Sequence, residues 1–242
     1  MTQHLTDAHR SLIVALDGSV EQIQSWTDDL QGEVDWVKVG MTNFYAQGPQ
    51  LIADIKKKGF DIFLDLKLHD IPHQVEGAAR QLATLGVGMV TIHASGGHDM
   101  IAAARRGLDA GAREAGVQAP ALLAVTVLTS MSDDNLHEVG VTASSKEQVK
   151  RLAELAFEAG ADGIVCSPLE SSLVKEVAPT GGLIVTPGVR PAWAAAQDQT
   201  RIQTPAQALA NGSTHLVVGR PITGAQDCVQ AARKVLAEMG ED

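Results

Sequence analysis

A chain of 242 residues exceeds the commonest domain size yet suits one α/β barrel, and its formal charge of -10 excludes a surface that grips nucleic acid or anionic lipid through a general positive field. Hydrophobic residues make up 45% but aromatic residues only 3%, so one large core has to be built from Val, Ile, Leu and Ala. The N-terminal MTQHLTDAHR has neither a basic leader nor an apolar signal core, and the run APALLAVTVL is too short to span a bilayer; the expected location is the cytoplasm, with no membrane partner.

Eight β-rich runs follow one another along the chain. They are SLIVALD (11–17), VDWVKVG (34–40), DIFLDLKL (61–68), MVTIHA (89–94), ALLAVTVL (121–128), GIVCS (163–167), LIVTPGV (183–189) and HLVVGRP (215–221). Segments of helical periodicity lie between them. In SSKEQVKRLAELAFEAG (144–160), Val149, Leu152, Leu155 and Ala156 form an apolar stripe, Ser144 or Ser145 offers an N-cap with Glu147 in the first turn, and Gly160 stops the helix. A last helix is expected over about 224–239. Strands that are apolar almost throughout, alternating with helices, imply parallel strands covered on both faces. Eight of them fit a closed (β/α)8 TIM barrel better than an open doubly wound sheet. No GxGxxG or GxxxxGK[ST] follows a strand and no Pro/Ser-rich linker divides the chain, so residues 1–242 are expected to form a single domain.

The third run raises the functional question, because DIFLDLKLHDIP (61–72) puts Asp65, Lys67 and Asp70 where a strand should be running into a core. With a period of two, Asp65 and Lys67 point the same way as Phe63, which begins the buried face, so the charges face inward. Alone, an Asp-x-Lys pair reads as a salt bridge closing one end of a barrel, although desolvation makes such pairs poor sources of stability. Barrels of this kind build their sites at the C-terminal strand ends. There the sequence places Asp17 at strand one, Lys38 near the end of strand two, Thr129 after strand five, Pro187, Gly188 and Arg190 at strand seven, and Gly219 and Arg220 at strand eight. The loops after strands seven and eight often bind phosphate. Gly188 and Gly219 let backbone N–H groups approach an anion, and Arg220 can pair with two phosphate oxygens; for either arginine alone a surface ion pair is the other reading.

The remaining polar residues carry less. His93, in TIHASGG, has no recognisable partner and reads as a hydrogen-bonded structural histidine. Cys166 and Cys228 lack CxxC or zinc spacing and read as packing residues. His69 and His73 are four apart, but Ile71-Pro72 between them interrupts a helix, so no metal site is expected.

IVALD, VKVG, DLKLHDIP, VTVLTSM, TPGVRP, DQTRIQTP and VVGRPI occur in the order found in the orotidine 5'-phosphate decarboxylase family, which the sequence resembles over nearly its whole length. The resemblance implies decarboxylation of orotidine 5'-phosphate to UMP without a cofactor. It implies that Asp17 and Lys38 hold the ribose hydroxyls, that Lys38, Asp65, Lys67 and Asp70 form an alternating charge array, and that Lys67 delivers the proton. Thr129 is expected to meet the pyrimidine, with Pro187 and Gly219 also at the substrate, and Gln199 and Arg220 to hold the phosphate with Arg190 nearby. Asp70 is expected to reach the partner subunit's site, making the assembly a homodimer, and RPAWAAAQDQTR (190–201) to act as a lid. One departure is that the family's usual DIPNT reads DIPHQ, with His73 and Gln74, which is expected to alter helix start or interface contacts and leave the chemistry alone. Two rival readings are a magnesium-dependent sugar-phosphate decarboxylase or aldolase and a silent nucleotide-binding barrel. The first typically carries an acidic metal ligand where this chain has Lys38; the second would not need the full charge set.

Overall fold

A computed structural model describes residues 10–194 and 203–240. Its strands are β1 (Leu12–Ala15), β2 (Trp36–Gly40), β3 (Asp61–Leu68), β4 (Met89–His93), β5 (Ala121–Val125), β6 (Gly163–Val165), β7 (Leu183–Pro187) and β8 (His215–Val218). All neighbours are parallel, in chain order, and the barrel closes where Leu12 of β1 pairs with Leu216 of β8. The helices are α1 (Val20–Asp29), α2 (Met41–Gln47), α3 (Pro49–Lys57), α4 (Pro72–Ala83), α5 (Gly97–Ala115), α6 (Asp133–Glu138), α7 (Ser145–Glu158), α8 (Ser171–Lys175), α9 (Pro205–Ala210), α10 (Arg220–Thr223) and α11 (Cys228–Gly240). None of the helices among the described residues is long and apolar enough to cross a membrane.

The strand period of two divides each apolar run between two cores. Leu12, Val14, Leu64 and Leu66 face the helical layer, whereas Ile13, Ala15, Phe63, Met89, Leu123, Val185 and Val217 fill the barrel's interior. Each such fully buried aliphatic or aromatic side chain contributes about 1.5–3 kcal/mol. Every β-rich run contains its strand, but most strands end early, so Asp17, Thr129 and Arg190 stand on the connections beyond β1, β5 and β7, and Arg220 opens α10 beyond β8. Helix α7 starts as the sequence predicts, with Ser144 as N-cap in a reciprocal capping box with Glu147, and Gly160 follows it in the left-handed region at φ 96°. The final helix departs from expectation. Residues 220–223 form the separate turn α10, and α11 begins only at Cys228, because the Asp227 carboxylate accepts from the Gln230 N–H at 2.8 Å and caps the helix there.

Helices α4 and α5 sit unusually close. A Cβ on Gly107 or Gly111 of α5 would collide with the backbone carbonyl of Glu76 or Arg80 on α4. Ion pairs Arg106–Glu76 (2.8 Å) and Arg80–Glu114 flank this seam. The seam holds α4 against its neighbour and so anchors the loop that leaves β3 through Asp70. At the opposite, N-terminal end of the barrel the rings of Trp36 and His215 meet edge to face, 6.3 Å between centroids.

Candidate active site

The C-terminal end of the barrel gathers an alternating chain of charges from three adjacent strands. Asp17, just past β1, lies 3.2 Å from Lys38 Nζ on β2; Lys38 Nζ lies 3.7 Å from Asp65 Oδ2 on β3; and Asp65 Oδ1 receives Lys67 Nζ at 2.7 Å. Exposure falls from 65% at the Asp17 side chain to 13% at Asp65, so the middle of the chain is held away from solvent. A unit pair 4 Å apart attracts by about 4 kcal/mol at an effective dielectric near 20, and desolvation offsets much of that. The arrangement therefore concentrates field more than it adds stability.

Its scaffold is local and specific. The Asn43 amide, in the first turn of α2, donates to the Leu16 carbonyl at 3.0 Å and ties the end of β1 beside β2. Gly40 closes β2 directly under the charges: a Cβ there would lie 3.3 Å from both Asp17 Oδ1 and Lys38 Nζ. Between β3 and β4 the ladder slips, with Leu64 opposite Val90 but Leu68 opposite Ile92, so β3 uses four residues where β4 uses two. Lys67 lies inside this bulge at φ 50°, the one non-glycine with positive φ among the described residues, at a cost of about 1–3 kcal/mol. The inward aim of Asp65 and Lys67 agrees with the period-two expectation, but a bulged backbone delivers it.

Two functional candidates escaped the sequence reading. Gly40 is one; the only signal was its place after Lys38 in VKVG. The other is Thr91 of β4, fully buried, whose hydroxyl donates to Asp65 Oδ1 at 2.9 Å and accepts the Lys67 backbone N–H at 2.9 Å. Its signal was a polar residue in phase with Met89 inside an apolar strand.

A cavity of about 210 Å³ opens beside Lys38, Asp65 and Lys67, walled by Phe63, Val125, Val165 and Val217 and rimmed by Thr129 and Pro187. Thr129 and Pro187 also border a second cavity, about 170 Å³, that reaches Ser167, Gly188 and Gln203. Gly188 has φ 81°, which only glycine adopts without strain. Gly219 and Arg220 follow β8, with Arg220 exposed at the start of α10, and the half-buried Arg190 donates its backbone N–H to the Gln203 carbonyl at 3.1 Å. Neither arginine reaches the charge chain. Gln199 and most of the segment expected to act as a lid lie outside the described residues.

Asp70 is not joined to the chain of charges. It is exposed, and its carboxylate accepts the N–H of Ile71 at 2.6 Å. His73 lies within the first turn of α4 and His69 before it. The hydrogen-bond partner expected for His93 is not found among the described residues. Its ring instead packs on that of His69, 5.4 Å between centroids, and burial together with the neighbouring His69 and Lys67 pushes its pKa down. Cys166 and Cys228 are free and buried, and burial pushes both thiols up. No three His, Cys, Asp or Glu side chains among the described residues are grouped to hold a metal ion. A wider cleft, about 1210 Å³, opens at the other end of the barrel around Trp36, Asp61 and His215, away from the charge chain.

A closed parallel barrel whose C-terminal strand ends bring two ammonium groups and the carboxylate between them to the edge of a small cavity, with a second carboxylate beyond, defines a (β/α)8-barrel enzyme. A family model described as "Orotidine 5'-phosphate decarboxylase / HUMPS family" matches residues 10–235, and the chain belongs to that family. The orotidine 5'-phosphate decarboxylase of Alkalilimnicola ehrlichii is 48% identical over 233 residues, covering 96% of this chain and 97% of that protein. That of Saccharophagus degradans is 47% identical over 230 residues, covering 94% of each. The crystal structure of orotidine 5'-phosphate decarboxylase from Lactobacillus acidophilus superposes with a TM-score of 0.84 at 44% identity, covering 94% of this chain and 98% of that one.

Proposed function

We propose that this barrel converts orotidine 5'-phosphate to UMP and carbon dioxide in pyrimidine biosynthesis, as a cytoplasmic homodimer that needs no cofactor. The observation that carries the reading is the Asp17–Lys38–Asp65–Lys67 chain at the C-terminal mouth, with an ammonium and not a carboxylate near the end of β2. A magnesium-dependent relative on this barrel places an acidic ligand there, and Lys38 repels the metal.

Breaking the bond from C6 to the carboxylate leaves its electron pair on a ring carbon with nothing in the substrate to delocalise it as a pyridoxal or thiamine group would. The stabilisation then has to come from preorganised protein charge. Lys67 supplies it: the ammonium attracts the developing carbanion and transfers its proton to C6, completing the UMP ring. On this reading Asp65 lies close to the departing carboxylate. Two like charges about 4 Å apart repel by about 4 kcal/mol at an effective dielectric near 20, and the repulsion disappears with carbon dioxide.

The other residues bind the substrate. Asp17 and Lys38 take the ribose hydroxyls at the more solvated end of the chain, and Thr129 and Pro187 border the pyrimidine. Gly219, Arg220 and Gln199, with Arg190 close by, receive the phosphate. Binding energy from the phosphate, far from C6, is available to hold the ring in its reactive pose. The exposed Asp70 completes the array of the neighbouring subunit.

The test is a decarboxylation assay on orotidine 5'-phosphate with exhaustive chelation. Undiminished turnover is expected. Turnover that returns only with magnesium moves the chain to the sugar-phosphate branch, and binding of UMP without any turnover makes it a silent nucleotide-binding barrel.

A further inference from the structure

We propose that Thr91 is the positioning residue of this site, its buried hydroxyl holding Lys67 in the bulged, left-handed backbone that aims the ammonium at the reacting carbon. The inference rests on the reading of Lys67 as proton donor. Four observations converge on one hydroxyl. Lys67 has φ 50°. The β3–β4 ladder slips at this point, so the Lys67 N–H has no residue of β4 paired opposite it in register. That N–H goes instead to Thr91 Oγ1 at 2.9 Å, and Thr91 Oγ1 donates to Asp65 Oδ1, also at 2.9 Å. Asp65 Oδ1 in turn takes Lys67 Nζ at 2.7 Å.

The result is a closed ring: Lys67 N–H, Thr91 hydroxyl, Asp65 carboxylate, Lys67 ammonium. A threonine hydroxyl has one proton to give, and here the carboxylate takes it, leaving a lone pair for the backbone N–H. Both roles are used and no solvent reaches the group, since Thr91 is 0% exposed. The same hydroxyl therefore pins the strained backbone of Lys67 and turns Asp65 so that Oδ2 faces Lys38. Without it the N–H loses this buried acceptor, and a lysine backbone relaxing toward negative φ swings its ammonium away from Asp65.

The experiment compares Thr91→Val, which keeps shape and loses the hydroxyl, with Thr91→Ser, which keeps the hydroxyl and loses the methyl group. Rates are taken per UMP-binding site, so that misfolded protein is not counted. Thr91→Val is expected to lower kcat by about 100-fold, the effect of an ångström-scale misplacement, with KM and UMP affinity changed by less than about threefold. Thr91→Ser is expected to keep kcat within about fivefold of wild type although its lost methyl lowers the melting temperature. A purely structural role removes this contrast, because the serine variant then loses as much as the valine. Backbone amide exchange at Lys67, followed without substrate, adds a readout independent of turnover: protection is lost in Thr91→Val and kept in Thr91→Ser. Should Thr91→Val fail to fold, Thr91→Ala, which also removes the hydroxyl, carries the same two measurements. Wild-type kcat and retained Lys67 protection in the variants lacking the hydroxyl overturn the positioning role while leaving the decarboxylase reading intact. If the wild type itself does not turn over orotidine 5'-phosphate, that reading fails and amide exchange alone decides whether Thr91 holds Lys67.

Discussion

Mixing two inactive variants should restore activity if Asp70 serves the neighbouring subunit. In the chain Lys67 Nζ lies against Asp65, whereas Asp70 is exposed, engaged among the described residues only with the N–H of Ile71, and followed by Ile71, itself 63% exposed. Lys67→Ala and Asp70→Ala homodimers each damage both of their sites and should be nearly inactive. A heterodimer has two unlike sites: one takes both lesions, and the other combines an intact Lys67 with an intact Asp70. After complete exchange of equal amounts, random pairing in a two-fold assembly makes about half the dimers mixed, each with one repaired site, so activity should approach about a quarter of the wild-type site concentration. The assay is initial-rate decarboxylation after mixing, with heterodimers verified by differently tagged chains and folding verified by melting temperature. Verified heterodimers that stay inactive refute the shared site, and so does an active wild type that sediments as a monomer.

Two further perturbations probe opposite ends of the barrel. Arg220, exposed at the start of α10 beyond β8, is proposed to meet phosphate. Arg220→Ala should weaken UMP roughly 10- to 150-fold, the loss of one charged hydrogen-bonding partner, and leave uridine unchanged by calorimetry; equal losses for the two ligands count against the contact. At the N-terminal end, burial lowers the His215 pKa to about 4 from its ordinary 6.5. Between those values the unfolded chain holds a proton that the folded chain does not, so stability falls as pH drops from 6.5 to 4, by about 3 kcal/mol from this group. Urea midpoints measured across that range should show the wild type losing this increment relative to His215→Asn; a difference between the two proteins that does not change with pH would argue against a neutral buried ring.

What the sequence determined by itself is local in origin. Strand and helix periodicities are written in neighbouring residues, so eight parallel strands, a serine cap at 144 or 145 and the inward phase of Phe63, Asp65 and Lys67 were legible in the sequence. The grouping of Asp17 and Lys38 with them followed from one topological rule, that a (β/α)8 barrel brings all its C-terminal strand ends to one mouth. Strand ends and the start of α11 were less legible, because a polar residue such as Asp227 caps a helix only where the chain around it has turned. The tertiary structure alone decided the rest. The slip between β3 and β4 depends on how two strands register, not on the composition of either. Thr91 is 24 residues from Lys67 and 26 from Asp65 in sequence, so its ring of hydrogen bonds exists only once that register is set. Gly40 likewise reads as an ordinary strand-ending glycine until β1 and β2 lie side by side and Asp17 and Lys38 crowd the space beside its missing side chain.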